Sequence, residues 1–227
     1  MILGGDRRAV IENIRTCAEN GDFHSKVELG DPVLTTAQNR NITDAYLENR
    51  KHFTFKLKTA LAVTMAQIAT RMINKNTEII GLEKIPHDLG GVLITSNHFS
   101  PLENTVIRHL VNTLGRRHLS IISQTSNFAM PGMIGFLMNY ADPIPISTEP
   151  RYLARDFLSV LKEKLVLRKE AVLLYPEQEM WFNYRKPRPP KGGAYFFAAK
   201  LNVPIISCFV EIVDTQEDDT PEFRQVK

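Results

Sequence analysis

The sequence has no apolar run long enough to cross a membrane. Every hydrophobic stretch of the 227-residue chain is interrupted before it reaches the ~18 residues that a spanning helix needs. The N-terminus also differs from a secretory signal, because the charges of Arg7 and Arg8 follow a very short apolar run instead of preceding a longer one. We therefore expect a cytoplasmic protein that contacts a membrane only peripherally, from its inner face.

Cysteine and net charge are scarce as well. The two cysteines, Cys17 and Cys208, are too far apart in sequence to indicate metal-ligand spacing or a disulfide framework. The formal net charge of +3 is small for a nucleic-acid-binding domain, although aromatic residues stand beside basic ones after position 180. We therefore expect no metal site and no nucleic-acid partner.

The order of the apolar runs predicts an α/β fold. From residue 77 onwards, short runs typical of buried strands alternate with helical patterns, as in a mostly parallel sheet covered by helices on both faces. Residues 1–76 carry helical patterns, so we predict an N-terminal helical, membrane-associating segment (1–76) and an α/β domain (77–227). The predicted strands span residues 78–83, 92–96, 119–123, 143–146, 171–175 and 204–213.

The end of the sequence suggests an incomplete element. Residues 223–226 have the composition of a strand opening that stops at once, without an edge partner. We therefore expect the native chain to continue past Lys227.

A predicted helix over residues 53–74 has an apolar stripe and basic ends. Two interpretations remain open: the stripe packs on the core, or it lies at the interface of an anionic bilayer with its cations toward the headgroups. The stripe consists of Leu57, Leu61, Met65, Ile68 and Met72, and the cations are Lys51, Lys56, Lys58, Arg71 and Lys75.

The strand predicted at 92–96 runs directly into Asn97-His98, and Glu103 follows five residues after the histidine. Ligands of α/β proteins bind at the carboxyl edge of the sheet, where this histidine would lie. If the chain turns into a helix there, Glu103 can hold one imidazole nitrogen while the other faces a hydroxyl to be deprotonated. Two alternatives remain: Ser100 and Glu103 also fit a capping box, and His98 also fits an ordinary loop histidine.

A second polar cluster follows the strand predicted at 171–175. Glu177 comes directly after it, and Arg185, Arg188 and Lys191 lie in a long loop rich in proline and aromatic residues. Parallel strands end at the same edge of a sheet, so this cluster can share a crevice with His98. A loop of such length in a compact domain is more often functional than idle.

These motifs together resemble the glycerolipid O-acyltransferases, which include 1-acylglycerol-3-phosphate and glycerol-3-phosphate acyltransferases. The resemblance covers about residues 77–213. It rests on Asn97-His98 with Glu103, on Tyr175-Pro176-Glu177, on Lys191 before Gly192-Gly193-Ala194, and on Val203-Pro204-Ile205, in that order.

The resemblance implies transfer of a fatty acyl group from acyl-CoA or an acyl carrier protein to a hydroxyl of a lysophospholipid-like acceptor. It implies His98 as general base oriented by Glu103, and an acyl thioester as co-substrate with no cofactor besides it. No Gly-x-Ser-x-Gly element is present, so we expect direct transfer without an acyl-enzyme. We expect Asn97, Glu177, Arg185, Arg188 and Lys191 to contact the substrates.

Some positions depart from the family pattern. Glu103 replaces an aspartate, while Met180 and Thr148 stand where arginines associated with the acceptor phosphate would be expected. Arg151, Arg185, Arg188 and Lys191 are then the candidates for that phosphate. A neutral acceptor such as a glycolipid or sugar, or an inactive lipid-binding relative, is the alternative.

Overall fold

A computed structural model describes residues 7–30, 32–86, 88–220 and 223–226. The first part is helical, as predicted. Three helices precede the sheet: α1 (Arg7–Asn20), α2 (Thr36–Asn49) and α3 (Phe53–Ile73). Thr35 starts α2 with a reciprocal capping box, because its side chain accepts the Gln38 N–H while the Gln38 side chain accepts the Thr35 N–H.

The centre of the molecule is a five-stranded sheet in the order β3-β2-β4-β1-β5, with every neighbouring pair parallel. This confirms the predicted α/β class. The strands are β1 (Val92–Thr95), β2 (Leu119–Gln124), β3 (Pro143–Ile146), β4 (Ala171–Leu174) and β5 (Ile205–Ser207). All residues of β1 and β4 are buried, as expected for central strands with helices on both faces.

Alternate residues of the central strands feed two hydrophobic clusters, one on each face of the sheet. One cluster joins the strands to the helix at Asn104–Thr113 and contains Val92, Ile94, Ala171, Leu173, Ile107 and Val111. The other joins them to the helices of the opposite face and contains Leu93, Val172, Phe157, Leu161, Ala194 and Ala198.

Helices connect the strands. They are α4 (Asn104–Thr113), α5 (Thr125–Phe128), α6 (Gly132–Tyr140), α7 (Leu158–Lys162) and α8 (Gly193–Leu201). The turns on either side of α7, Tyr152–Phe157 and Glu163–Leu167, are π-helical and continuous with it. The three segments together form one continuous helical stretch from Tyr152 to Leu167.

The predicted strand at 78–83 is wrong. Ile80 is exposed, and Gly81 has a φ of +88°, a left-handed conformation that leads into a 3-10 turn at Leu82–Lys84. The apolar residues of this stretch are too few and too exposed to pair with the sheet.

The C-terminal strand has a partner, contrary to expectation. The acidic stretch β6 (Asp214–Thr220) pairs antiparallel with β7 (Phe223–Val226) in a separate two-stranded sheet. An isolated hairpin of this kind lies outside the five-stranded sheet, so its strand pairing could not be inferred from the alternating pattern of the domain.

Helix α3 leaves its apolar stripe uncovered. Leu57, Leu61, Ile68 and Met72 are all more than half exposed, so packing on the core does not account for the stripe. The opposite side of α3 packs on α4 and α6. Among the described residues, α3 and every other helix are too short or too polar to span a bilayer.

Candidate active site

The register of β1 and β4 brings the two predicted clusters together. Thr95 pairs with Leu174 at the ends of these neighbouring strands. His98 and Glu177 each lie three residues further along, so both emerge at the same carboxyl edge. The His98 N–H donates to Glu177 Oε2 at 3.1 Å.

His98 and Glu103 form a side-chain pair. Nδ1 of His98 bonds Glu103 Oε1, while Oε2 of the same carboxylate accepts the N–H groups of Phe99 (2.8 Å) and Ser100. Glu103 therefore orients the imidazole and also satisfies the backbone of the turn, although α4 begins only at Asn104. The base and capping interpretations are compatible, because each uses a different oxygen.

The exposure of the pair suits a base that meets a substrate. The Glu103 side chain is 1% exposed and that of His98 is 21% exposed. With Nδ1 held as the donor to a buried carboxylate, the neutral ring carries its free lone pair on Nε2. The geometry therefore leaves one imidazole nitrogen to accept a proton.

Tyr175 supports the imidazole from one side. Its ring stacks on that of His98, with centroids 4.0 Å apart and an angle of 9° between the planes. Burial, together with the charge of Glu103, raises the pKa of the Tyr175 hydroxyl well above its ordinary value, so the ring stays neutral. The sequence shows Tyr175 as a strand end and gives no signal for this contact.

The Asn97 side chain is bonded to the protein backbone. Its Nδ2 donates to the Val210 carbonyl at 3.0 Å, and its Oδ1 accepts the Val210 N–H at 2.8 Å. The Asn97 side chain thus makes the two backbone bonds that a residue of a neighbouring strand would make, and it links the end of β1 to the segment after β5. Because both amide atoms are used in this way, the expected substrate contact of Asn97 is not supported by the geometry.

Glu177 and Arg188 also differ from expectation. Both are buried, and they form an ion pair with Arg188 Nη2 2.9 Å from Glu177 Oε2. Desolvation by burial lowers the pKa of Arg188, an effect that the charge of Glu177 opposes. A substrate phosphate cannot reach this guanidinium without displacing the pair, so neither residue is placed to bind substrate directly.

Arg185 and Lys191 remain on the outer side of the loop. The Arg185 side chain is 40% exposed and donates to Asp214 through two nitrogens, at 2.6 and 3.0 Å. Lys191 is exposed, and its backbone N–H donates to the Pro176 carbonyl at 2.8 Å. These two cations can still meet an anionic ligand.

The backbone N–H groups of the turn after β1 could serve as donors to the oxyanion that forms in acyl transfer, but three of them already have partners. The N–H groups of His98, Phe99 and Ser100 are all bonded to carboxylates of the protein. They hold the turn and do not point to a reacting carbonyl. Within the described part of the chain, no three His, Cys, Asp or Glu side chains are grouped closely enough to hold a metal ion.

A family model described as Acyltransferase matches residues 76–211, which is more than half of the chain. The chain therefore belongs to the acyltransferase family. No curated protein matches it. No solved structure matches it either.

Proposed function

We propose that this acyltransferase moves a fatty acyl group from an acyl thioester to a hydroxyl of a lysophospholipid-like acceptor. The thioester is acyl-CoA or acyl carrier protein, and no further cofactor takes part. The observation that carries the proposal is the His98–Glu103 pair at the carboxyl edge of the sheet, in which no described residue bonds to Nε2.

His98 acts as general base in this proposal. Nε2 takes the proton of the acceptor hydroxyl as its oxygen attacks the thioester carbonyl, and Glu103 stabilises the resulting imidazolium. The tetrahedral intermediate then expels the thiolate, which receives the proton from His98, so that an ester and a free thiol are the products. General-base assistance of this kind contributes roughly 10² to 10⁴ in rate.

Arg185 and Lys191 are the proposed contacts of an acceptor phosphate. Arg185 would exchange its bidentate bond to Asp214 for a phosphate, the geometry that a guanidinium favours. Because Asp214 competes for this arginine, a neutral acceptor such as a glycolipid or sugar is the second candidate.

We propose that α3 holds the protein peripherally on the inner face of an anionic membrane. Its uncovered stripe lies beside exposed lysines, among them Lys56 and Lys58. Asn74, at the end of α3, donates to Thr105 in the first turn of α4 at 3.0 Å, so the stripe ends close to the turn that carries Glu103. Leu102 in that turn is 53% exposed and extends the apolar surface toward the site.

The test supplies a labelled acyl thioester and a mixture of lysophosphatidate, neutral glycolipid and sugar acceptors on anionic vesicles. Mass spectrometry should find the label on one acceptor and an equal amount of free thiol. The His98→Gln variant should form both products roughly 10³-fold more slowly. Label on the neutral acceptors alone would select the second candidate, and no labelled product from folded wild-type protein would refute the proposed activity.

A further inference from the structure

Arg188 is the centre of a bonded network beneath the catalytic turn. Its side chain is 0% exposed, and its Nε and Nη2 lie 3.1 and 2.9 Å from Glu177 Oε2. Its Nη1 donates to the carbonyl of Phe23 at 3.0 Å, and Nη2 also donates to the carbonyls of His98, at 3.3 Å, and Glu179. Its backbone N–H reaches the other oxygen of Glu177 at 2.9 Å.

This network bonds to both backbone polar groups of His98, its N–H and its carbonyl. The His98 N–H donates to Glu177, while the His98 carbonyl accepts from Arg188 and from the Trp181 N–H, the last at 3.0 Å. The position of the catalytic imidazole therefore depends on groups that do not touch the ring itself.

The N-terminal segment contributes backbone carbonyls to the same network. The indole N–H of Trp181 donates to the Ser25 carbonyl at 3.0 Å, and the guanidinium of Arg188 lies 4.6 Å from the centroid of the Trp181 ring. Phe23 and Ser25 precede residue 76, where the family match begins. Trp181 also packs against Val10, Ile14 and Val27 in a buried cluster.

We infer that Arg188 is a positioning residue: by clamping Glu177 and the His98 carbonyl against the N-terminal segment, it sets the place of the catalytic imidazole. The inference rests on the proposed function, in which His98 is the base. Only a planar guanidinium offers five donors in a fixed fork, which is what one carboxylate and three carbonyls require here. Lysine has three donors at a single point and can reproduce part of the set.

The first experiment compares Arg188→Gln and Arg188→Lys with Lys186→Gln, which removes one charge from an exposed position of the same loop. Arg188→Gln should lower kcat about 100-fold, the cost typical of a reacting group displaced by about 1 Å, while the KM values for donor and acceptor stay near those of the wild type. Arg188→Lys should recover part of kcat, and Lys186→Gln should behave as the wild type.

A second readout does not need turnover. Hydrogen exchange of the His98 amide, measured by NMR, should accelerate in Arg188→Gln relative to that of Leu93 in β1, whose N–H donates to Pro204. General destabilisation would accelerate both amides equally. This arm tests the inference even if the wild-type protein transfers no acyl group, in which case only the proposed function fails.

Two results would contradict this role of Arg188. A large rise in the acceptor KM with unchanged kcat would make Arg188 a substrate contact and overturn the inference, as would unchanged kcat and unchanged His98 exchange. Should Arg188→Gln not fold, Trp181→Phe removes the bond to Ser25 and keeps the aromatic packing. It should lower kcat and accelerate His98 exchange to a smaller extent, and no change in either would overturn the inference.

Discussion

The inner and outer sides of the loop at 176–190 use the same residue type in opposite ways. Arg188, on the inner side, is fully buried and bonded to one carboxylate and three carbonyls. Arg185, three positions earlier, is 40% exposed and bonded chiefly to Asp214. Burial and bonding partners, and not proximity to a motif, therefore separate the cations that hold the site from those that can bind a ligand.

The same division extends beyond the loop. The His98–Glu103 pair is part of the inner side, because the two side chains are bonded to each other and the amides of His98, Phe99 and Ser100 are bonded to carboxylates of the protein. The α3 stripe is part of the outer side, because its leucines are more than half exposed. Changes on the inner side should therefore alter the chemical step, and changes on the outer side should alter binding.

The largest expected effect is at His98. His98→Gln removes the proton acceptor, so kcat should fall by roughly 10³, within the range of general-base contributions. Initial rates with saturating donor and acceptor measure it. The melting temperature should change little, because the side chain is partly exposed; activity near that of the wild type would show that the base is another group.

Glu103→Gln should have the next largest effect. If the amide oxygen keeps the N–H groups of Phe99 and Ser100, the new NH₂ group faces His98 Nδ1, which can accept it only in the tautomer that carries its proton on Nε2. Nε2 then no longer accepts a proton, and the bonds to the backbone amides lose their charge assistance, so we expect about 100-fold lower kcat and a free energy of unfolding lower by about 1–3 kcal/mol. Urea unfolding and initial rates test the two parts separately, and a loss of stability without a loss of kcat would reduce Glu103 to a cap.

On the outer side, the pair Leu57→Gln and Leu61→Gln should weaken membrane attachment. If each leucine contributes about 1 kcal/mol at the interface, sedimentation with anionic vesicles should show a roughly 30-fold lower partition coefficient. The control is Leu167→Gln, an exposed leucine far from α3 along the chain. Equal binding by both variants would place the membrane contact elsewhere.

The smallest expected effect is at Arg185. Arg185→Gln should raise the KM for a lysophosphatidate acceptor about 5- to 10-fold, which corresponds to one exposed charge-assisted contact. The donor KM and kcat should stay unchanged. If the donor KM rises instead, the loop cations bind the phosphates of the donor. The proposed role of Arg185 as a contact of the acceptor would then be wrong.

Much of the sheet could be predicted, because buried central strands leave continuous apolar runs such as those at Val92–Thr95 and Ala171–Leu174. Pro143–Ile146 was also predictable as an edge strand, since proline cannot donate to a neighbour on both sides. The error at 78–83 has a physical cause. Short apolar runs do not reveal whether a partner strand exists, and Ile80 has none among the described residues.

The site was predictable only where its contacts are local. The spacing of five residues across a turn brings His98 to Glu103, so that pair could be anticipated. The bonds from Arg188 to Phe23 and from Trp181 to Ser25 join residues more than 150 positions apart and end on backbone carbonyls, which every residue type possesses. No pattern of side chains in the sequence predicts such a contact. The buried role of Arg188 therefore could not be distinguished from the exposed role of Arg185 before the structure was known.

The contact between Trp181 and the N-terminal segment has a spectroscopic consequence. Trp181 is the single tryptophan of the chain and is 0% exposed, so intrinsic tryptophan emission reports on this one joint. Closing it requires two stretches more than 150 residues apart to meet, which places it among the high-contact-order events of folding. During refolding, the blue shift of the emission should therefore follow the recovery of helical circular dichroism, and recovery of enzyme activity should coincide with the emission.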